Sequence, residues 1–126
     1  MSEPIIYKEE SYKIIGICME VHKELGMGFH EIVYKDALEI EFIDKGIPYV
    51  REKEFQVIYK GIPLKDRVFY VDFFMYDKIL LEIKAKSVII EEHVKQTLNY
   101  CACAKQKLGL CVNFGGLKLE YKRVVL

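Results

Sequence analysis

The stretch at residues 67–85, RVFYVDFFMYDKILLEIKA, is dense in β-branched and aromatic residues on either side of Asp77-Lys78. It predicts two strands, 67–76 and 79–85, joined by a tight turn. Three of its polar residues do not belong on a solvated face. Asp72 sits between Val71 and Phe73, and Glu82 and Lys84 sit inside Leu81-Glu82-Ile83-Lys84. A carboxylate inside an apolar strand is costly unless it is paired or coordinates a cation. Glu82 and Lys84, two apart on a strand, project from one face. A two-residue turn at Asp77-Lys78 would pair Asp72 with Ile83 and put Asp72 and Glu82 on opposite faces, whereas a three-residue loop, Tyr76-Asp77-Lys78, pairs Asp72 with Glu82 directly. The longer loop, or a bulge of the same effect, is the expectation. Two carboxylates and an ammonium would then converge, the minimum kit for a hard divalent metal with water and phosphate as its other ligands. An edge hairpin with a solvated Glu82–Lys84 pair fits the spacing equally well.

Working outward, residues 11–25 place Ile14, Ile15, Cys18, Val21, His22 and Leu25 at helical spacing, with Ser11 as the expected N-cap and Gly26 as the stop. His22 falls on the apolar stripe and reads as a core histidine. A second helix is expected over about His30–Lys45, closed by Gly46 with Pro48 beyond. Residues 52–60 alternate as a strand that ends at Gly61-Ile-Pro63. Glu91–Lys107 returns to helical spacing, Leu108–Phe114 is apolar throughout as in a strand buried on both faces, and Lys118–Leu126 is the last strand. The predicted order is α-α-β-β-β-α-β-β, an α/β mixed sheet with helices packed on it.

The 126 residues, 52% hydrophobic and 30% charged, contain no linker or repeat and suit one globular domain spanning 1–126. A chain of this size buries about two-thirds of the surface its unfolded form exposes, so it needs no staples. No apolar run approaches the roughly 18–20 residues that span a bilayer. The N-terminal MSEPIIYKEESYK is too charged for a signal peptide. The expectation is a soluble, cytoplasmic protein with no membrane partner. Lys and Arg total 19, as do Asp and Glu, which argues against a nucleic-acid coat protein. Residues 1–63 carry a net −4 and residues 64–126 a net +4, a difference that ordinary solvated surface also produces. Cys18, Cys101, Cys103 and Cys111 lack the paired spacing of a zinc site and read as free thiols.

Asp72 followed by Glu82-Ile83-Lys84 resembles the D…E-x-K signature of the PD-(D/E)XK nuclease superfamily. Gly28-Phe-His-Glu31-Ile-Val-Tyr34 is similar to the G-x-x-E-x-x-Y motif of the GxxExxY proteins, a small single-domain branch of that superfamily. Ile15-Gly16, Glu20 to Gly26, Tyr59-Lys60-Gly61 and Asn113-Phe114-Gly115 extend the similarity over about residues 10–126. The proline of the PD name is absent, with Val71 in its place. Gln96-Thr-Leu-Asn-Tyr100 resembles the Q-x-x-x-Y motif of RecB-type nucleases.

The resemblance implies a restriction-endonuclease-like fold and an octahedral Mg²⁺, with Mn²⁺ able to substitute. Its ligands would be Asp72, Glu82 and the Ile83 carbonyl, with Glu31 joining directly or through water. Lys84 would activate the attacking water or stabilise charge on the phosphate, and Gln96 and Tyr100 would line the site. His93 shares their helix face, and His30 adjoins Glu31 without a role its spacing requires. A polar helix edge, with Tyr100 packed on the sheet, accounts for Gln96 and His93 as well. The implied function is metal-dependent hydrolysis of phosphodiester bonds in DNA, with RNA second and little sequence specificity. The competing reading is a non-catalytic module that binds nucleic acid or a partner protein. A homodimer, or a small subunit of a larger complex, is compatible with both.

Overall fold

Helix α1 (Lys8–Leu25) buries Ile14, Ile15, Ile17, Cys18, Val21 and His22, so the apolar stripe read from the sequence is the face that packs. The computed structural model describes residues 5–126. The first four residues of the expected domain and of its charged N-terminal stretch lie outside them. Ser11 is not the N-cap. The helix starts a turn earlier, after Tyr7 at φ 51, and Ser11 Oγ donates to the Lys8 carbonyl at 3.1 Å from inside the helix. Glu9 and Glu10 in the first turn complement the helix dipole, which lets the charged segment before Ser11 join the helix. His22 is a core histidine, its Nε2 lying 3.0 Å from the Gly116 carbonyl oxygen. Helix α2 (Glu31–Asp44) buries Tyr34, Lys35, Leu38 and Phe42, and Gly46 at φ 65 turns the chain after it.

A five-stranded sheet follows, β1 (Tyr49–Tyr59), β2 (Ile62–Met75), β3 (Ile79–Lys84), β4 (Leu108–Asn113) and β5 (Glu120–Val125), ordered β1-β2-β3-β4-β5. Neighbours are antiparallel except β3 and β4, which are parallel and joined through helix α3 (Glu91–Ala104). The element order and the mixed sheet match the sequence expectation. Two strands are longer than expected: β1 starts earlier, at Tyr49 opposite Met75, and β2 starts earlier because pairing runs on to Tyr59↔Ile62, where Lys60 and Gly61, both at positive φ, form the tight turn. Helix α3 stops at Ala104, short of Lys107, with Lys105 left-handed at φ 56.

Helices α1 and α2 cover one face of the sheet, against Phe73, Met75, Ile79, Leu81 and Ile83, and against Leu110 and Val112 of β4. Each such side chain, fully buried, contributes roughly 1.5–3 kcal/mol. Helix α3 covers the other face through Cys101, against Val71, Phe74 and Leu80. Its approach to β4 is close enough that a Cβ on Gly109 would stand 2.6 Å from Thr97 Cγ2 and 2.8 Å from Cys101 Sγ. β4 is buried along its whole length, as expected, and the four cysteines are free thiols. No helix among the described residues is long and apolar enough to cross a membrane.

Candidate active site

The β2–β3 ladder pairs Met75↔Ile79, Phe74↔Leu80 and Phe73↔Leu81, so the connecting loop is the three residues Tyr76-Asp77-Lys78. Tyr76 and Asp77 are both left-handed, at φ 54 and 58. One more step in this register sets Asp72 opposite Glu82, but there the backbone ladder ends. The Asp72 N–H points instead to Glu82 Oε1, at a long 3.4 Å, and the Ile83 N–H donates to Asp72 Oδ2 at 2.7 Å.

A slip in strand alternation accompanies this break. Residues two apart on a strand share a face, yet Phe69 and Val71 pack toward α3 while Phe73 and Met75 pack toward α1 and α2. The partner strand slips in step, with Phe55 toward α3 and Tyr49 toward the other layer. Register is constant across the slip, Lys53↔Val71 and Arg51↔Phe73, and the intervening residues Glu52 and Asp72 drop out of the ladder. Glu52 carries φ 53, a left-handed conformation that a glutamate adopts at a cost of order 1–3 kcal/mol. Asp72 thereby drops out of regular ladder pairing with both neighbouring strands.

Lys35 of α2 reaches Asp72, its Nζ 3.0 Å from Oδ1, and it also bonds the Glu52 carboxylate. Burial works to lower the pKa of Lys35, but the bonds from Glu52 and Asp72 outweigh it and the net direction is up. Glu82 is buried, and burial, reinforced by the negative charge of Asp72, pushes its carboxyl up to about 9. The Lys84 ammonium on the same strand face works against that rise. Lys84 Nζ donates to Gln96 Oε1 of α3 at 3.1 Å. Tyr100, one turn further along α3, stacks on Phe69 with centroids 4.5 Å apart. Its phenol is raised by burial and then by the charges of Glu82 and Asp72.

The structure thus brings Asp72, Glu82, Ile83, Lys84, Gln96 and Tyr100 to one neighbourhood. Glu31 is the first residue of α2. It sits one helical turn from Lys35 on the same face of α2, in a surface hollow with Phe29, His30, Ile32, Ala85 and Lys86. Among the described residues, no group of three or more His, Cys, Asp and Glu side chains is arranged to hold a metal. His93 is a local helix cap, its Nδ1 accepting from the Ile90 N–H at 3.2 Å. Tyr34 is a core residue whose hydroxyl donates to the Gly26 carbonyl at 2.6 Å and fixes the turn before Glu31. The loop after β3 is clamped by Asn113, which bonds both the N–H and the C=O of Lys86 at 2.8 Å.

Sequence reasoning missed Lys35 and Glu52. Glu31, Lys35, Leu38 and Phe42 follow an i, i+4, i+7, i+11 stripe, so two charges at the head of a core-facing stripe were the available signal for Lys35. Nothing in Arg51-Glu52-Lys53-Glu54 marks Glu52 apart from an ordinary charged strand face.

The donors present fit a hard cation. Asp72 and Glu82 supply adjacent carboxylate oxygens, and a carboxyl held at about 9 is one that a bound cation would stabilise in its charged form. Because the Ile83 N–H is directed at Asp72, its carbonyl lies on the same side of the strand as a third oxygen. Mg²⁺ commonly takes one or two carboxylates and keeps waters in its other positions.

A family model described as the PD-(D/E)XK nuclease superfamily matches residues 8–124. None of the curated proteins matches the sequence significantly. Among solved structures, the crystal structure of SSO0001 superposes with a TM-score of 0.61 at 17% identity, over 75% of this chain and 50% of that one. This chain therefore spans half the length of that protein. An alkaline exonuclease, LHK-Exo from Laribacter hongkongensis, superposes with a TM-score of 0.52 at 14% identity, over 99% of this chain and 72% of that one. At such identities the likeness is one of fold.

Proposed function

The chain belongs to the PD-(D/E)XK nuclease superfamily, and on that premise we propose that it hydrolyses phosphodiester bonds in DNA with a divalent metal at Asp72 and Glu82. The observation that carries this reading is the carboxylate pair itself. Two acids meet where both strand ladders open, and the buried one is destabilised as an anion until a cation arrives. Gly28, Glu31 and Tyr34 favour the GxxExxY branch within the superfamily.

Mg²⁺, or Mn²⁺ in its place, would be held by Asp72, Glu82 and the Ile83 carbonyl and would supply an activated water and neutralise phosphate charge. Lys84, held at its amine by Gln96 Oε1, places a positive charge beside that position, suited to the charge that grows on a phosphate under attack. Tyr100, whose ring stacks on Phe69, would line the α3 side of the site. Glu31, one turn from Lys35, would join the metal directly or through water. The sequence carries no recognisable base-reading element, and we expect little sequence specificity.

The Lys35–Asp72 ion pair supports a second reading, since an acid already neutralised by lysine suits a non-catalytic binding module. Lys84→Ala separates the two. Loss of DNA cleavage with DNA binding retained supports the enzyme, and binding by both proteins with cleavage by neither supports the module.

A further inference from the structure

Lys35 is not required to seat α2 on the sheet, because Tyr34, Leu38 and Phe42 of the same helix are completely buried there. A buried ion pair is also weak evidence for stability, since desolvation offsets its attraction. Yet two irregularities converge on this amine. Its side chain, only 10% exposed, bonds both Asp72 and Glu52, and Glu52 adopts the left-handed backbone that takes it out of the ladder. Strained conformations of this kind persist where the surroundings over-determine them, and they cluster at functional sites.

We infer that Lys35 is a fixed positive charge standing where a second metal ion would bind at Asp72, so that the site takes one divalent ion. The inference rests on the function proposed above. Sites that use two ions hold them about 3.5–4 Å apart, which requires a carboxylate within reach of both. Asp72 is the candidate for that sharing, and both of its oxygens are engaged. Oδ1 lies 3.0 Å from the Lys35 ammonium and Oδ2 accepts the Ile83 N–H at 2.7 Å. A cation joining Oδ1 would meet the ammonium at close range, and the amine has little freedom to withdraw because Glu52 holds it from the other side. On the opposite flank, where Glu82 stands, the nearby lysine is Lys84, whose amine is held by Gln96 Oε1 of α3 and not by Asp72. Glu52 is thus a positioning residue for Lys35, and Lys35 for Asp72.

Calorimetric titration of the full chain with Mn²⁺, alongside electron paramagnetic resonance of the bound ions, tests this. The wild type takes one ion, with no spin-coupled pair. Lys35→Met either admits a second ion or tightens the first by about tenfold or more. Glu52→Gln acts in the opposite direction and weakens the ion, because the ammonium then bears on Asp72 alone. A purely structural role for Lys35 would weaken binding in both variants, and that result overturns the inference. Two ions on the wild type overturn it while leaving the proposed function standing. No ion on the wild type removes the proposed function, and the inference with it. Should Lys35→Met fail to fold, Lys35→Gln keeps a polar but uncharged side chain, and a second ion or tighter binding is expected there too, whereas unchanged or weaker binding overturns the inference.

Discussion

Asp72 and Glu82 face each other at the point where the β2–β3 ladder stops, and each carboxylate takes a backbone N–H that the ladder leaves free. Strand register delivers both acids to one place, and the slip at Glu52 and Asp72 detaches one of them from regular pairing. The pair is stable as a fold element but poorly satisfied as two anions. That imbalance makes the site sensitive both to pH and to cations.

Metal-free protein loses stability as pH rises. The Glu82 carboxyl sits at about 9 in the folded chain against 4.5 for an ordinary glutamate, so folding favours its protonated form. That contribution is fully present below about pH 4.5 and is lost as pH climbs through about 9. Urea unfolding in EDTA across this window shows a declining stability, and Glu82→Gln flattens the decline.

Metal affinity rises over the same window. Binding an ion at Asp72 and Glu82 expels the Glu82 proton, so the Mn²⁺ association constant increases by up to about tenfold per pH unit below the folded pKa. Calorimetry in buffers of different ionisation enthalpy counts the proton released. A pH-independent affinity would place the ion elsewhere.

Lys84 and Gln96 separate by magnitude. Lys84→Ala removes the charge itself and lowers kcat by about 10²–10³-fold. Gln96→Ala leaves the charge but releases the ammonium it holds at 3.1 Å, and lowers kcat by only about tenfold. In single-turnover cleavage, equal losses in the two variants would show that Gln96 does more than aim Lys84.

Gly109→Ala tests the packing of α3 on β4. The added methyl would meet Thr97 Cγ2 and Cys101 Sγ inside ordinary contact distance, and overpacking of this kind costs about 1–3 kcal/mol. Thermal unfolding reads the loss, and Gly109→Ala combined with Thr97→Ser recovers part of it.

The helices, the order of strands and the three-residue hairpin loop were legible in the sequence, because hydrophobic period and turn arithmetic are local signals. Ser11 misled because a good capping residue also bonds comfortably inside a helix, here to the Lys8 carbonyl. The early start of β2 was hidden by Gly61-Ile62-Pro63, which reads as a strand end but serves as the tip of a longer hairpin. Asp72, Glu82, Lys84 and Gln96 announced themselves as polar residues in apolar or motif-like settings. Lys35 and Glu52 did not, because their importance comes from a simultaneous slip in two strands 20 residues apart in sequence, a tertiary event with no local pattern.

The most direct measurement is cleavage of labelled single- and double-stranded DNA in Mg²⁺ by the wild type and by Asp72→Asn, purified identically. Wild-type cleavage that EDTA abolishes, and that Asp72→Asn lacks, is the predicted result. Absence of cleavage by the wild type in either Mg²⁺ or Mn²⁺, or equal cleavage by both proteins, would contradict a metal-dependent nuclease centred on Asp72 and Glu82.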